Sequence, residues 1–234
     1  MSEWSLKRFW KDVSVEPEDG GFAIRLDQRT VRTPAKRVLV VPTEGIAHRI
    51  AAEWEAQAEQ VDPGSMPWTR SANAALDKVA TQREAVMEHL ASYAGTDLLS
   101  YRAVAPEGLI ARQTEVWDPI LAWVLQRFDA RIAVTSGVMP IAQDEDALAR
   151  LAKTMEPMSD FQLTAFHDLV TLTGSFLIGL SAVHKAQPEL ILWAASRVDE
   201  DWQIEQWGAD EEAEAEAETK KSAFLHATEL YHTA

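Results

Sequence analysis

Apolar residues change their spacing near Pro42, and this change limits the possible folds more than any other feature of the chain. Before Pro42, apolar and polar residues alternate, as in residues 22–26, which is typical of half-buried strands. After it, Ile46, Ile50 and Trp54 recur at four-residue spacing, which is typical of one face of a helix. The sequence therefore predicts an α+β protein in which a sheet precedes the helices.

Turn-forming residues divide the segment before Pro42 into short strands. Residues 17–21, with the sequence PEDGG, separate two alternating segments and predict a β-hairpin. Asp27 and Gln28 separate a further short strand, and Pro34 precedes a last one at residues 38–41. Strands this short and this close in sequence predict a small antiparallel sheet.

The first helix and the turns after it define a domain boundary. Thr43 is placed to cap a helix over about residues 43–59. The proline-containing residues 62–69 follow. We therefore predict a β-rich N-terminal domain of residues 1–68, which includes this helix, and a larger all-helical C-terminal domain of residues 69–234.

Helical periodicity continues to the end of the chain. Asp118 and Pro119 are consistent either with a helix start or with a kink inside a helix. Asp144 is placed to cap a shorter helix. The pattern predicts helices over residues 72–95, 117–128, 144–155, 160–184 and 188–207.

The charge balance excludes two classes of partner. The chain has 37 Asp and Glu against 22 Lys and Arg, a formal net charge of −15. Such a surface repels phosphate backbones and anionic lipid headgroups, so we expect no nucleic-acid partner. Residues 161–184 are the most membrane-like stretch, but Gln162, His167 and Asp168 interrupt it, whereas a spanning helix needs about 20 mainly apolar residues. We therefore expect no membrane insertion.

Cysteine content and the first residues bear on location. Cysteine is absent, which excludes disulfides, thiolate metal ligands and a cysteine nucleophile. The first residues, MSEWSLKRFWKD, lack the uninterrupted apolar core of a signal peptide, and Glu3 is unlike a transit peptide. We expect neither leader, and we expect a cytoplasmic location.

No strong catalytic motif is present in the sequence: there is no Gly-rich phosphate loop, HExxH, GxSxG or EF-hand pattern. The six histidines are scattered along the chain. The adjacent His167 and Asp168 are the best metal candidates, but adjacent helical residues point about 100° apart, so a structural role is favoured. We expect no enzymatic activity, no catalytic residue, no metal and no cofactor.

Two of the nine tryptophans differ from the rest in their surroundings. Trp202 and Trp207 lie in residues 199–218, which hold ten acidic residues and no basic one. Together with Glu205 and Asp210 they resemble an aromatic anchor with a charged rim, as at protein-binding edges. The alternative is that these tryptophans fix the last helix to the body of the protein while the acidic residues are only solvated.

A further signal is an ordered series of short segments between residues 8 and 212. Its first part is Arg8, Phe9, Trp10, Lys11, Gly21, Phe22, Leu26, Asp27, Gln28, Arg29, Thr33, Pro34, Leu39 and Pro42, then Glu53, Trp54, Gln57, Met66, Pro67, Thr69 and Asp77. Its second part is Asp97, Leu98, Tyr101, Gln113, Trp117, Asp118, Pro119, Gly174, Ser175 and residues 203–208. In this order the segments resemble the Atp-twelve family of ATP synthase assembly chaperones. One departure is Gln28, where the family's turn usually has glycine.

The resemblance implies a β-rich front, a helical back and a non-enzymatic role. A member of this family binds the free alpha subunit of the ATP synthase catalytic head and prevents its aggregation until the beta subunit replaces it. The resemblance also implies that Glu205 and Asp210 contact alpha, with Trp202 and Trp207 as neighbours, and we expect a monomer when free. Two alternatives stay open: a metal-dependent hydrolase using His167 and Asp168, and a generic acidic adaptor for a basic partner.

Overall fold

The structure is a computed structural model that describes residues 7–234. Residues 1–6, on which the expectation of no leader partly depends, lie outside the described residues. The strands are β1 (Val13–Glu18), β2 (Gly21–Leu26), β3 (Arg29–Thr30), β4 (Val40–Val41), β5 (Tyr101–Arg102) and β6 (Thr135–Ser136). The helices are α1 (Glu44–Glu55), α2 (Pro67–Asp77), α3 (Arg83–Gly95), α4 (Glu107–Phe128), α5 (Glu145–Lys153), α6 (Asp160–Thr173), α7 (Phe176–Val183), α8 (Glu189–Ala195), α9 (Val198–Trp207) and α10 (Glu211–Thr233).

The predicted α+β fold is confirmed, with a small antiparallel sheet followed by helices. β1 and β2 form the predicted hairpin, in a register that pairs Val13 with Leu26 and Glu18 with Gly21. The other edge of β2 pairs with β3 and with β4. β2 therefore lies at the centre of the sheet, and its Ile24 and Leu26 are buried in the core.

The turn between β2 and β3 differs from the Asp-Gly turn of the family. Asp27 has a positive φ of 53°, whereas Gln28 is not among the described residues with positive φ. A type I′ turn requires positive φ at both central positions, so this turn is of another type and tolerates Gln28. The Asp27 carboxylate also accepts the backbone N–H groups of Lys11 and Asp12 at 3.0 Å, and these bonds lower its pKa.

One hydrophobic core lies between the sheet, α1 and α2. Trp10 and Trp54 meet edge to face with ring centroids 5.2 Å apart. The cluster also takes in Phe161 and Ala165 from α6 and Leu230 from α10. Residues distant in sequence therefore complete the core under the N-terminal sheet.

The first helix begins as predicted and ends earlier. Thr43 accepts the backbone N–H of Ile46 at 3.3 Å, which confirms its capping role. The helix stops at Glu55 rather than near residue 59. Gln57 is the reason, because its buried amide donates to the Glu53 carbonyl at 3.0 Å and accepts the Asp62 N–H at 2.7 Å, which turns the chain.

The single helix predicted over residues 72–95 is wrong, since α2 and α3 are separate. Between them Thr81 donates to the carbonyl of Asp77 at 3.0 Å or of Lys78 at 2.8 Å, and Gln82 leaves helical geometry with a φ of −136°. Threonine and serine side chains that bond to nearby carbonyls compete with a regular helix. Apolar residues keep their helical spacing across this break, so the sequence pattern did not reveal it.

The single helix predicted over residues 160–184 is also wrong. Gly174, with a φ of 66°, ends α6, and Ser175 caps α7 by accepting the Ile178 N–H at 3.0 Å. The Ser175 hydroxyl donates in turn to the buried Asp97 carboxylate at 2.7 Å. Asp97, 78 positions earlier in the chain, thus helps to position the break between α6 and α7.

The single helix predicted over residues 188–207 is wrong as well, since α8 ends at Ala195 and α9 begins at Val198, and the Ser196 hydroxyl between them donates to the Trp193 carbonyl at 2.7 Å. The helix predicted over residues 117–128 begins earlier, at Glu107.

Asp144 caps α5 by accepting the Ala147 N–H at 2.7 Å. Pro119 lies inside α4, so it does not start a helix. In the part of the chain that the structure describes, the strands beyond residue 100 are β5 and β6, two residues each and paired in parallel, a small exception to the all-helical prediction.

Contacts divide the chain into two compact units. Within the described residues, the first comprises residues 7–83, 159–165 and 229–234, and the second comprises residues 84–158 and 166–228. The boundary at residues 68 and 69 stays a prediction about where the chain changes from a sheet-rich to a helical pattern.

Candidate partner-binding site

The predicted site residues lie at the junction of α9 and α10. Gly208, with a φ of 91°, ends α9 directly after Trp207. Asp210 then caps α10, because its carboxylate accepts the Ala213 N–H at 2.9 Å. The structure therefore brings Trp207 and Asp210 together at one turn and gives Asp210 a structural role in addition to the one we predicted.

Glu205 is held on the surface of α4 by a two-point ion pair. Its carboxylate oxygens accept the two terminal nitrogens of Arg112 at 2.7 and 2.8 Å. The hydrogen bonds from Arg112 lower the pKa of Glu205. Both side chains are partly exposed, so water screens the pair and it contributes little to stability. Its effect is to fix the orientation of a carboxylate at the surface.

Trp202 packs onto the same face of α4. The Arg112 guanidinium lies 4.9 Å from the centre of its ring, within the range of a cation–π contact. One turn earlier, Gly108 leaves room for the ring: a Cβ atom there would lie 2.7 Å from Cη2 of Trp202. Trp202 thus attaches α9 to α4, as the structural alternative proposed.

A buried amide completes the attachment of α9. Gln113, almost fully buried on α4, donates to the Asp199 carboxylate at 2.6 Å. The same amide accepts the Ala103 N–H at 2.8 Å. The position of α9 is therefore set by polar contacts as well as by Trp202.

Trp207 has a different environment, since 80% of its surface is exposed. Its side chain lines a groove of about 380 Å³ between α9 and α10. The groove is lined by three carboxylates, two basic side chains and apolar surface, from Glu200, Asp210, Glu216, Arg197, Lys220, Ile204 and Ala213. Lys220 pairs with Glu216 at 2.7 Å, so the net charge of the lining is only slightly negative. We call it the acidic groove because it lies in the acidic residues 199–218. An exposed aromatic ring beside a charged, partly apolar groove is the arrangement expected at a protein-binding edge.

The acidic segment continues along α10. Glu211, Glu212 and Glu214 lie in the first turn of the helix, where the helix dipole favours negative charge. Residues 211–220 are exposed apart from Ala217, while Phe224, Ala227 and Leu230 are buried and anchor the C-terminal half. The Glu-Ala run is therefore the solvent-exposed N-terminal part of α10, and the C-terminal half of the helix is held by its buried side chains.

His167 and Asp168 form a small surface pair on α6. His167 Nδ1 lies 3.2 Å from the Asp168 carboxylate, and the His89 ring centre is 6.2 Å from that of His167. Over residues 7–234, no group of three or more His, Cys, Asp or Glu side chains could hold a metal ion. The geometry gives no support to the hydrolase alternative.

Sequence reasoning missed the partners of the site on α4. Gly108 and Arg112 are four residues apart and so share one helix face, but nothing in the local pattern identifies the helix that this face meets. Only the fold shows that Glu205 is paired and that Trp202 is packed.

None of the helices within the described range is long and apolar enough to cross a bilayer.

An exposed tryptophan beside carboxylates is typical of one class of protein, those that bind other proteins. Comparisons with known proteins then identify the family. A family model described as ATP12 chaperone protein matches residues 7–125. The crystal structure of Atp12 from Paracoccus denitrificans is 46% identical, covers 99% of both chains and superposes with a TM-score of 0.94.

Two further relatives extend the likeness. The Atu1473 protein of Agrobacterium tumefaciens is 40% identical over 97% of this chain and 85% of that one, with a TM-score of 0.91. The mitochondrial protein atp12 of Schizosaccharomyces pombe is 23% identical over 89% of this chain and 76% of its own length. The chain therefore belongs to the ATP12 chaperone family, whose members are described as chaperones and not as enzymes.

Proposed function

We propose that this protein assists assembly of the ATP synthase catalytic head by binding the free alpha subunit and preventing its aggregation until the beta subunit replaces it. Family membership supports a chaperone role in ATP synthase assembly. The observation that carries the choice of site is the exposure of Trp207 beside the acidic groove between α9 and α10. We also propose that the protein acts in the cytoplasm and is monomeric when free.

The physical task of such a chaperone is to cover an interface for a limited time. A subunit of a hetero-oligomer exposes apolar interface before its partner arrives, and such surfaces self-associate. A bound chaperone prevents this association. The beta subunit can then displace the chaperone by mass action if its interface with alpha is the stronger one, so no ATP hydrolysis is needed.

The groove favours a basic segment with an apolar side. Carboxylates on α9 and α10 would speed the encounter with such a segment and reject acidic ones. The tryptophan ring would supply most of the buried area, since aromatic anchors dominate binding energy at interface centres. Trp207 is therefore the proposed anchor, and Glu205 and Asp210 are the proposed orienting charges.

Replacing Trp207 with serine tests the anchor. We expect the variant to bind alpha about 30-fold more weakly, because hot-spot aromatics contribute about 2 kcal/mol. The free energy of unfolding should change by less than about 0.5 kcal/mol, because the ring is largely exposed. Titration of alpha against the purified protein measures the first effect, and urea unfolding measures the second.

The matched control is Leu190→Ser on α8, where an apolar side chain is also exposed, by 56%. It should leave both alpha binding and stability unchanged. If Trp207→Ser binds alpha as tightly as wild type, the site is elsewhere.

Two substitutions of Asp210 separate charge from capping. Serine can keep the hydrogen bond to the Ala213 N–H, so Asp210→Ser should retain stability within about 0.5 kcal/mol while removing one carboxylate from the groove. Lysine removes both the carboxylate and the capping hydrogen bond, so Asp210→Lys should also cost about 1 kcal/mol of stability.

We expect alpha binding to weaken in both variants, and more strongly when Glu205→Lys is added. Binding should be measured at low and high salt beside the unfolding free energy. If weakening occurs only in the lysine variant and follows its loss of stability, Asp210 is a helix cap and nothing more.

A further inference from the structure

A second surface stands out on the second compact unit (residues 84–158 and 166–228), because it is exposed, apolar and uncharged. Val104, Val138 and Met139 are 72%, 92% and 73% exposed. We call these three side chains the apolar ridge. They lie in residues 103–106 (AVAP) and 137–142 (GVMPIA), which contain no charged residue, although 25% of the chain is charged. Single exposed apolar residues are ordinary, but a group of them marks an interaction surface.

The two segments are neighbours in space, and the ridge is therefore one surface. β5 and β6 pair immediately before them, with Arg102 opposite Ser136. The Gly137 N–H continues this pairing by donating to the Arg102 carbonyl at 2.8 Å. A Cβ atom placed on Gly137 would lie 3.6 Å from a methyl group of Val104.

Partly buried polar contacts hold the base of the ridge. The Gln143 amide accepts the Ala133 N–H at 2.8 Å and donates to the Ala133 carbonyl at 3.1 Å. Arg102, which is 8% exposed, donates to the Asp118 carboxylate at 2.8 Å and lies over the Trp117 ring. The ridge is thus presented by an anchored pair of strands.

The ridge also adjoins the acidic surface. Val104 precedes the start of α4 by three residues, and Gly108 in the first turn of α4 contacts the Trp202 ring. Val104 and Trp202 therefore both lie near the N-terminus of α4. A partner that covers Trp202 and the acidic groove could extend onto the ridge.

We propose that the apolar ridge is a second contact surface for the client bound at the acidic groove, and that it takes an apolar strip of that client's subunit interface. This inference rests on the proposed function. A second copy of this chain is the less favourable occupant, because it would bring together two acidic segments, each with ten carboxylates and no basic residue in residues 199–218. An apolar strip flanked by basic groups matches both surfaces.

Site-specific photo-crosslinking tests the proposal. The photoreactive residue p-benzoylphenylalanine is placed at position 138, 207 or 88 of the full chain, which is then co-expressed with the alpha subunit. Glu88 on α3 is an exposed control position outside both surfaces. We expect adducts with alpha from positions 138 and 207 and none from position 88.

Three other crosslinking results would contradict one of the two proposals. An adduct from position 207 without one from position 138 overturns the ridge proposal and leaves the proposed function intact. Adducts from position 138 to a second copy of this chain overturn it in favour of self-association. Failure at both positions, with no co-purification of alpha, overturns the proposed function itself.

A double substitution gives a quantitative check. Val138→Ser with Met139→Ser should weaken alpha binding about 10-fold without changing stability, because both side chains are exposed. The salt dependence of binding should stay as in wild type, since no charge is altered. Unchanged affinity would overturn the proposal.

Discussion

Replacing Asp97 with alanine is expected to lower the free energy of unfolding at pH 7 by about 3 kcal/mol. The fully buried carboxylate accepts hydrogen bonds from Leu99 N–H at 3.0 Å, Ser175 Oγ at 2.7 Å and Leu177 N–H at 3.1 Å. Each buried donor left without an acceptor costs about 1 to 3 kcal/mol, and removal of a buried charge offsets part of the sum. Urea unfolding followed by tryptophan fluorescence measures the change.

Asp144→Ala is the matched control, because Asp144 is exposed and accepts one capping bond from Ala147. It should cost about 1 kcal/mol. If Asp97→Ala costs no more than this control, the buried carboxylate does not hold α7 in place.

The cost of Asp97→Ala should also depend on pH. Burial raises the pKa of Asp97 to about 6 from an ordinary value of 3.8. Between these values the folded protein binds more protons at this group than the unfolded chain, so its contribution to stability falls as pH rises from about 4 to 6. The difference between wild type and Asp97→Ala should therefore be larger at pH 4 than at pH 7, by up to about 3 kcal/mol.

Gly21→Ala is expected to cost about 4 kcal/mol and to lower the melting temperature by about 10 °C. A Cβ atom at Gly21 would lie 2.1 Å from the Val41 carbonyl oxygen, so β4 could stay against β2 only after the backbone moved. The φ of 153° adds strain for any other residue. Thermal unfolding followed by circular dichroism measures the shift.

The neighbouring glycine is the control. Gly20 has a φ of 85°, but nothing lies within 4 Å of a Cβ atom placed there. Gly20→Ala should therefore cost only about 1 kcal/mol, the penalty for left-handed backbone. Equal shifts for the two variants would show that contact with β4 contributes nothing.

Several residues that carry the family resemblance prove to hold the fold together. The Asp77 carboxylate accepts the Thr33 hydroxyl at 2.8 Å. Glu53 accepts the Thr69 hydroxyl at 2.6 Å and the Trp68 N–H at 2.6 Å, which caps the start of α2. These residues therefore have structural roles inside the chain, and their presence in the series does not show where a partner binds.

The sequence by itself determined the α+β order, the β1–β2 hairpin and the caps at Thr43 and Asp144. These features depend on periodicity and on contacts within a few residues, which any chain with this local pattern makes. It also indicated Trp207 as an interface candidate, although its exposure could not be read from spacing.

Only the tertiary structure decided where long helical patterns break and which site residues have partners inside the chain. The break before α7 depends on Asp97, 78 positions away from Ser175, and the pairing of Glu205 depends on Arg112, 93 positions away. The spacing of apolar residues indicates which face of a helix is buried, but not which other element of the fold that face contacts. The distinction between a packed Trp202 and an exposed Trp207, on the same helix, therefore arises only when α4 and α9 come together.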